Sequence, residues 1–134
     1  MIENVITIRP RYCEVDKMGY VYHGNYVSYC HQARTELFRR YAIDDSALEK
    51  EGIMLPVISM QLHYHSPANY DNPLNVKVLL EKIPSTRAKF KFEITDGDNT
   101  LVCTASTTVT FVDSKTRKPI RPPHIVTEAL KPYF

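Results

Sequence analysis

The segment YCEVDKMGYVYHGNY, residues 12–26, decides the fold of this chain, because an extended run ends in it and a long helix begins in it. Asp16 stands at the end of the extended run, a loop containing Gly19 follows, and a polar cluster opens the helix at about Asn25. A helix start offers unpaired N–H groups and the positive end of the helix dipole. The segment therefore sets a carboxylate before a site that can hold an oxyanion, as attack on an acyl group requires.

The spacing of apolar residues changes to that of a helix at about residue 25. From there an apolar stripe recurs at intervals of three and four and predicts a helix that ends at about Tyr41. The stripe consists of Tyr26, Cys30, Ala33, Leu37 and Tyr41. A second, short helix is predicted over residues 46–51, because Gly52 stands where a left-handed cap usually ends a helix.

Alternating apolar and polar residues predict strands before and after the helices. The first strand, over residues 4–13, is interrupted by Pro10 and is typical of an edge or bulged strand. Four more strands are predicted over residues 57–66, 74–83, 87–95 and 100–112. The sequence DGDN at 96–99 predicts a hairpin turn between the last two. A basic, proline-rich connector over 113–123 and a short helix from about Pro123 follow.

This order of elements predicts an α+β fold in which a sheet of about five strands carries the long helix on one face. The length of 134 residues is typical of one domain, here residues 1–134, with a core that needs no metal or disulfide. One helix cannot easily cover five strands, and the open sheet edge also needs a partner. We therefore expect a homodimer with a joined sheet.

The composition indicates an ordinary globular protein of the cytoplasm. A net charge of +2 and the lack of a combined aromatic and basic motif give no support to nucleic-acid binding. The three cysteines form no C-x-x-C pair, which indicates free thiols in a reducing compartment. We see no signal peptide and no apolar run long enough to span a membrane, so no integral membrane association is expected.

Two stretches of the sequence resemble a known family. The run DKMGYVYHGNY at 16–26, continued by ARTE at 33–36, resembles the signature of hot-dog-fold acyl-CoA thioesterases, nearest to the 4-hydroxybenzoyl-CoA thioesterase-like group. The stretch YHSPANYD at 64–71 is similar to a second segment of that group, and the resemblance spans residues from about 7 to 119. It implies a hot-dog fold, an antiparallel sheet wrapped around one long helix, with the sheet continued across a dimer and dimers often paired into tetramers.

The resemblance also implies an activity and a site. The family hydrolyses acyl-CoA thioesters to free acid and CoA without a metal or cofactor, and CoA arrives as part of the substrate. Asp16 matches the catalytic acid, and Tyr12 and His23 match positions that flank the thioester. The helix start matches the oxyanion site, so the further residues expected to bind substrate are Tyr22, Gly24, Asn25 and Tyr64. The family often has Ala or Pro at position 24, and glycine there loosens the helix start.

Each of these residues also has an ordinary structural interpretation. A loop aspartate such as Asp16 usually caps a turn, and even as a catalytic group it could be either nucleophile or general base. His23 could polarise the thioester or protonate the departing thiolate, but it could equally cap the helix or orient Asp16. Tyr12 could hydrogen-bond the acid, line the acyl pocket or pack in the core. Asn25 could bond to the backbone and orient the loop instead of touching substrate.

Two further clusters contain residue types that can bind ligands. His63 and His65 share one strand face, but no third ligand completes a zinc site, so a polar sheet surface or a subunit contact is favoured. The basic connector carries Lys115, Arg117 and Lys118, which could contact the phosphates of CoA. A solvated basic surface is the alternative interpretation of this connector.

Two other functions stay open at the level of the sequence. One is a hot-dog dehydratase that acts on a hydroxyacyl thioester, although His23 does not stand in the arrangement expected for β-elimination. The other is a non-catalytic module that binds acyl-CoA or an acyl carrier. The acyl group itself, aromatic or aliphatic, cannot be derived from the residues.

Overall fold

The computed structural model describes residues 1–134 and shows a mixed α+β architecture. The elements in chain order are strand β1 (Ile2–Ile8), helices α1 (Asn25–Arg40) and α2 (Asp45–Lys50), strands β2 (Ile53–Met54), β3 (Val57–Tyr64), β4 (Leu74–Leu80), β5 (Arg87–Thr95), β6 (Leu101–Thr110) and β7 (Val112–Asp113), and helix α3 (His124–Leu130). Single 3-10 turns lie at Tyr12–Glu14 and Lys131–Tyr133. None of the helices is both long enough and apolar enough to cross a lipid bilayer.

Five strands form one antiparallel sheet in the order β1-β4-β5-β6-β3. The hairpin predicted at 96–99 joins β5 to β6 in the middle of this sheet, and β1 and β3 are its two edges. The predicted α+β class and the five-stranded antiparallel sheet are therefore confirmed.

The apolar stripe predicted for α1 is the face that the helix buries. Tyr26, Cys30, Ala33 and Leu37 are each no more than 3% exposed, whereas Tyr41 at the end of the stripe is only half-buried. The helix lies against β1 and β4, and the Phe38 ring meets the Phe90 ring of β5 edge to face at 5.5 Å. Burying a side chain of this size stabilises the fold by about 2 kcal/mol, so these contacts fix the helix on the sheet.

The first strand is shorter than predicted. β1 ends at Ile8, and the buried Pro10 takes the chain out of the sheet before the turn at Tyr12–Glu14. Proline lacks the N–H that a strand ladder needs, which is why pairing stops before this point. As a result Asp16 follows a 3-10 turn, and the prediction of a strand over residues 4–13 was wrong in its second half.

The last strand is divided in two. β6 ends at Thr110, and the next residues turn aside as β7 to pair with β2, which directly follows α2. Neither two-residue strand was predicted, because such short segments show no periodicity. This small ladder ties the basic connector to the end of α2.

Candidate active site

Asp16 lies in a loop, and one oxygen of its carboxylate closes this loop by hydrogen bonds. Oδ1 accepts hydrogen bonds from the N–H groups of Met18 at 2.9 Å and Tyr20 at 3.2 Å. Gly19 lies between them at φ +80°, a conformation that favours glycine. The other oxygen, Oδ2, has no hydrogen-bond partner in the chain, and Asp16 is exposed. The carboxylate therefore caps a turn and keeps one oxygen free for chemistry.

Among residues 22–25, which lead into α1, two backbone N–H groups have no acceptor. The Tyr22 N–H donates to the carbonyl oxygen of Glu14 at 2.9 Å, and the Asn25 N–H donates to the carbonyl oxygen of Tyr22 at 2.9 Å. Between them, the N–H groups of His23 and Gly24 donate to no atom of the chain. Of the amides near residues 22–24 that were expected to bind an oxyanion, those of His23 and Gly24 are without an acceptor, and that of Tyr22 is not available.

Glu14 connects the 3-10 turn to the helix start. No sequence pattern indicated this role. Its carbonyl oxygen accepts the Tyr22 N–H and the Asn25 Nδ2–H, the latter at 2.7 Å. Its carboxylate accepts the Arg11 N–H at 2.8 Å and the Tyr29 hydroxyl at 3.2 Å. Burial, and then the charge of Glu14, raise the pKa of Tyr29, so its hydroxyl remains a donor. The only signal for this role in the sequence was an acid two residues before Asp16.

The side chain of Asn25 is committed to the backbone through this bond to Glu14. It therefore orients the loop, which was one of the two interpretations considered for it. Gly24 has φ −68°, which any residue adopts. A Cβ at Gly24 would lie 2.9 Å from Cε2 of Tyr22, so glycine lets the Tyr22 ring lie across the helix start.

An aromatic cluster surrounds the two free amides. The His23 ring lies 4.3 Å from the Tyr22 ring and 6.3 Å from the Tyr64 ring, measured between centroids, and the Tyr64 ring lies 5.6 Å from that of Tyr26. The Tyr64 hydroxyl donates to the carbonyl oxygen of His23 at 3.2 Å. His23 forms no ion pair with Asp16. The structure thus brings Tyr22, His23, Gly24, Asn25 and Tyr64 together at the helix start.

Tyr12 lies apart from this cluster in the single chain. Its side chain is 78% exposed, and its ring packs edge to face on the Tyr70 ring at 5.6 Å. It makes no hydrogen bond to Asp16. The core-packing interpretation of Tyr12 is therefore wrong, because the chain leaves the sheet at Pro10 and turns this residue outward.

The exposed carboxylate of Asp16 lies outside three open cavities of the single chain. Three open cavities of about 510, 450 and 430 Å³ lie respectively on the polar face of the sheet, beside Tyr41 and Tyr133, and beside Arg34 and Leu48. Asp16 lines none of the three.

The basic connector forms a tight turn far from the helix start. The Asp113 carboxylate accepts the N–H groups of Lys115 and Thr116, which lowers the pKa of Asp113. The next residue, Ser114, lines a cavity with Arg34, which lies about 13 Å along α1 from Asn25 at 1.5 Å per residue. The side chains of Lys115, Arg117 and Lys118 form no ion pairs. In one chain these charges lie beside α2 and not beside Asp16.

His63 and His65 lie side by side on the sheet, with ring centroids 5.2 Å apart. Nε2 of His65 lies 2.9 Å from the Thr104 hydroxyl. No group of three or more His, Cys, Asp or Glu side chains in the structure is arranged to hold a metal ion.

Comparison with known sequences shows the same relationship that the motifs indicated. The profile of the thioesterase-like superfamily matches residues 10–130. The acyl-CoA thioester hydrolase YbgC of Escherichia coli O6:H1 is 33% identical over 112 residues, which are 84% of this chain and 84% of that protein. The putative acyl-CoA thioesterase YneP of Bacillus subtilis is 30% identical over 114 residues, 85% of this chain and 83% of that protein.

Solved structures agree in fold. The DHNA-CoA thioesterase of Staphylococcus aureus is 34% identical and superposes with a TM-score of 0.86, covering 100% of this chain and 85% of that one. The hypothetical protein TT1821 of Thermus thermophilus is 25% identical with a TM-score of 0.89, covering 99% and 98%. With the loop of Asp16 and the helix start already in place, these matches settle the family: the chain has the hot-dog fold and belongs to the thioesterase-like superfamily.

Proposed function

We propose that this protein hydrolyses an acyl-CoA thioester to a free acid and CoA. Asp16 acts as nucleophile or general base, and the N–H groups of His23 and Gly24 hold the oxyanion. The observation that carries the proposal is a free carboxylate oxygen on the loop that leads into a helix start with two amides that have no acceptor. The Val15–Val21 bridge and the bonds of the Glu14 carbonyl to Tyr22 and Asn25 hold this loop against the helix start. The relatives named as acyl-CoA thioesterases support the substrate class.

Two routes use the same free oxygen. In the first, Oδ2 of Asp16 bonds to the thioester carbon, the C–S bond breaks with proton transfer to sulfur, and water cleaves the resulting anhydride. In the second, Oδ2 takes a proton from water as that water attacks the carbonyl. Both routes pass through a tetrahedral oxyanion, so both need the helix start. Neither requires a metal or a cofactor, because CoA is part of the substrate.

The two amides supply the electrostatic part of catalysis. Each N–H that points at the developing oxyanion contributes about 3 kcal/mol, or roughly a hundredfold in rate. The positive end of the α1 dipole adds to this, since no acidic residue occupies the first turn to neutralise it. Fixed N–H donors are effective here because they need no reorganisation as the charge forms.

His23 and Tyr12 have supporting roles in the proposal. The His23 ring is exposed and has no hydrogen-bond or ion-pair partner in the chain, so it is available to protonate the departing thiolate. Tyr12 is exposed beside Tyr70, and a role for it at the thioester requires that substrate or a second protomer reaches this surface. Tyr22 and Tyr64, each about half exposed, offer ring surface to the acyl group.

We also propose that two chains pair through β3, with further pairing of dimers into tetramers. β3 is an edge strand, and two of its large apolar side chains, Val57 and Ile58, are 52% and 47% exposed. An unpaired apolar edge is a template for a second strand. β3 also ends at Tyr64, whose hydroxyl touches the helix start, so an interface along β3 borders the site. A second chain paired along β3 would therefore lie next to the helix start.

The phosphates of CoA are assigned, within this proposal, to Lys115, Arg117 and Lys118. These side chains are exposed and lack ion-pair partners, which leaves their charge available to an anion. The connector lies beside the part of α1 near Arg34, away from the helix start. For these side chains to reach the CoA phosphates, the CoA moiety must be extended along the protein, or the connector of the second protomer must supply the contact.

The direct experiment is an assay of thiol release from a panel of aromatic and aliphatic acyl-CoA substrates. The proposal expects release of one thiol and one carboxylic acid per turnover with at least one member of the panel. Loss of water from a hydroxyacyl-CoA without thiol release would instead indicate a dehydratase. Tight binding of the panel without any turnover would indicate a non-catalytic module, and either result would contradict the proposal.

A further inference from the structure

The two free N–H groups belong to peptide groups whose carbonyl oxygens both accept hydrogen bonds. The carbonyl of Tyr22 belongs to the same peptide as the His23 N–H, and it accepts the Asn25 N–H at 2.9 Å. The carbonyl of His23 belongs to the same peptide as the Gly24 N–H, and it accepts the Tyr64 hydroxyl at 3.2 Å. In a planar trans peptide the C=O and N–H point in opposite directions, so a bond to one fixes the direction of the other.

The two peptides differ in what holds them. The first is fixed by a backbone bond inside the helix turn, which any sequence can make. The second is fixed by one side chain that comes from the end of β3, forty-one residues away in the chain. Gly24 needs this support, because it has no side chain of its own and no side chain caps the helix at this position.

We propose that Tyr64 is a positioning residue that sets the direction of the Gly24 N–H in the oxyanion site. Its ring is set between those of His23 and Tyr26, at 6.3 and 5.6 Å, which orients the hydroxyl toward the His23 carbonyl. The hydroxyl also polarises that carbonyl, and a polarised peptide is a stronger N–H donor. This role differs from contact with the acyl group, and it rests on the proposed function of the site.

The pKa of the Tyr64 phenol supports this role. Partial burial raises it above the ordinary value of 10.0. The hydroxyl is therefore protonated at any pH at which the protein is assayed, and it donates throughout. The Tyr64 contribution should not appear as a step in a pH profile.

Tyr64→Phe tests the inference, because phenylalanine keeps the ring and removes only the hydroxyl. We expect kcat to fall about fivefold to tenfold with KM unchanged, the loss expected for one weakened oxyanion donor. In the free protein, the amide nitrogen chemical shift of Gly24, which responds to a hydrogen bond on the His23 carbonyl of the same peptide, should change by NMR, while that of Tyr22 stays the same. Tyr133→Phe is the matched control, since Tyr133 is similarly exposed at 51% and packs on Tyr41 away from the site.

Three results would overturn the inference: unchanged kcat in Tyr64→Phe, a raised KM with unchanged kcat, or an unchanged amide nitrogen chemical shift of Gly24. A raised KM alone would show that Tyr64 binds substrate directly. Tyr64→Leu removes the ring as well as the donor, so a rise in KM in this variant but not in Tyr64→Phe separates the ring's contact with the acyl group from the positioning role of the hydroxyl. A wild-type protein without thioesterase activity would refute the proposed function, whereas an active wild type with an equally active Tyr64→Phe would refute only the role of Tyr64.

Discussion

Asp16 and Asp96 close two loops with the same four hydrogen bonds. Each donates its own N–H to the carbonyl four residues on, at 2.8 and 3.0 Å, and each Oδ1 accepts the N–H groups two and four residues on. Each carbonyl also accepts the N–H three residues on, from Gly19 or Asn99, and both of these residues have positive φ. Asp96 does this in a plain hairpin between β5 and β6. Loop closure therefore accounts for one carboxylate oxygen of each aspartate and leaves the other without a partner in the chain.

The two glycines of the site loop should respond differently to alanine. Gly19 has φ +80° with open space around it, so Gly19→Ala should destabilise the fold by about 1 kcal/mol through backbone strain alone. Gly24 has an ordinary φ, and a new Cβ there meets only the half-exposed ring of Tyr22, which can move. Gly24→Ala should therefore change stability by less than about 0.5 kcal/mol. Urea unfolding measures both, and equal losses would contradict the assigned conformations.

Glu14 should matter for catalysis although it does not touch the substrate. Glu14→Gln keeps the size of the side chain but weakens its bonds from the Arg11 N–H and the Tyr29 hydroxyl. The expected cost is about 1 kcal/mol of stability, together with a several-fold lower kcat, because the 3-10 turn and the helix start lose their common anchor. Tyr29→Phe removes one of the same bonds and should show a smaller effect in the same direction. A variant with full kcat at reduced stability would restrict Glu14 to a purely structural role.

The stability of the protein should fall at alkaline pH partly through Cys30. Burial, and then the proximity of Cys103, raise the pKa of Cys30 from 9.0 to about 12. The folded-state pKa is above the unfolded one, so this stabilisation is intact below about pH 9 and is lost as pH rises toward 12. Urea midpoints between pH 8 and 11 should decline less steeply in Cys30→Ala than in the wild type. Parallel slopes would show that Cys30 does not contribute. All three thiols are free in the structure.

Self-association and activity should be lost together when the β3 edge is charged. The chain mass is 15.5 kDa, and analytical ultracentrifugation should give at least twice that value for the wild type. Ile58→Glu places a charge on the exposed edge and should shift the protein toward monomer with a fall in kcat/KM. Glu81→Gln, on the exposed end of the central sheet, is a control that should leave both unchanged. A fully active monomer would contradict a site shared between protomers.

The sequence was sufficient for the parts of the structure that depend on local pattern. The buried stripe of α1, the hairpin at 96–99 and the loop of Asp16 all follow from spacing and turn chemistry. The bonds that complete the site could not be predicted in this way. Glu14 to Tyr29 and Tyr64 to His23 join residues fifteen and forty-one positions apart, and only the folded sheet brings them together. The end of β1 could not be predicted from pattern either. The alternation of apolar and polar residues continues past Pro10, whereas the strand ends before it because proline lacks an N–H group.

The position of the basic connector could not be predicted from the sequence pattern, for a similar reason. Its charges were visible in the sequence, but the pairing of β7 with β2 decides that they lie beside α2. That pairing involves two residues on each side and leaves no periodic trace. The assignment of Lys115, Arg117 and Lys118 to CoA phosphates therefore stays a prediction.

Turnover by Asp16→Asn tests the central claim most directly. Asparagine keeps an oxygen that can accept the Met18 and Tyr20 N–H groups, so the loop should persist, while the free carboxylate oxygen is lost. We predict a fall in kcat of at least about a hundredfold, with CoA affinity and the unfolding midpoint close to wild type. Asp96→Asn, which makes the same change in the matching loop, should retain full activity. An Asp16→Asn variant that turns over acyl-CoA as fast as the wild type would contradict the account.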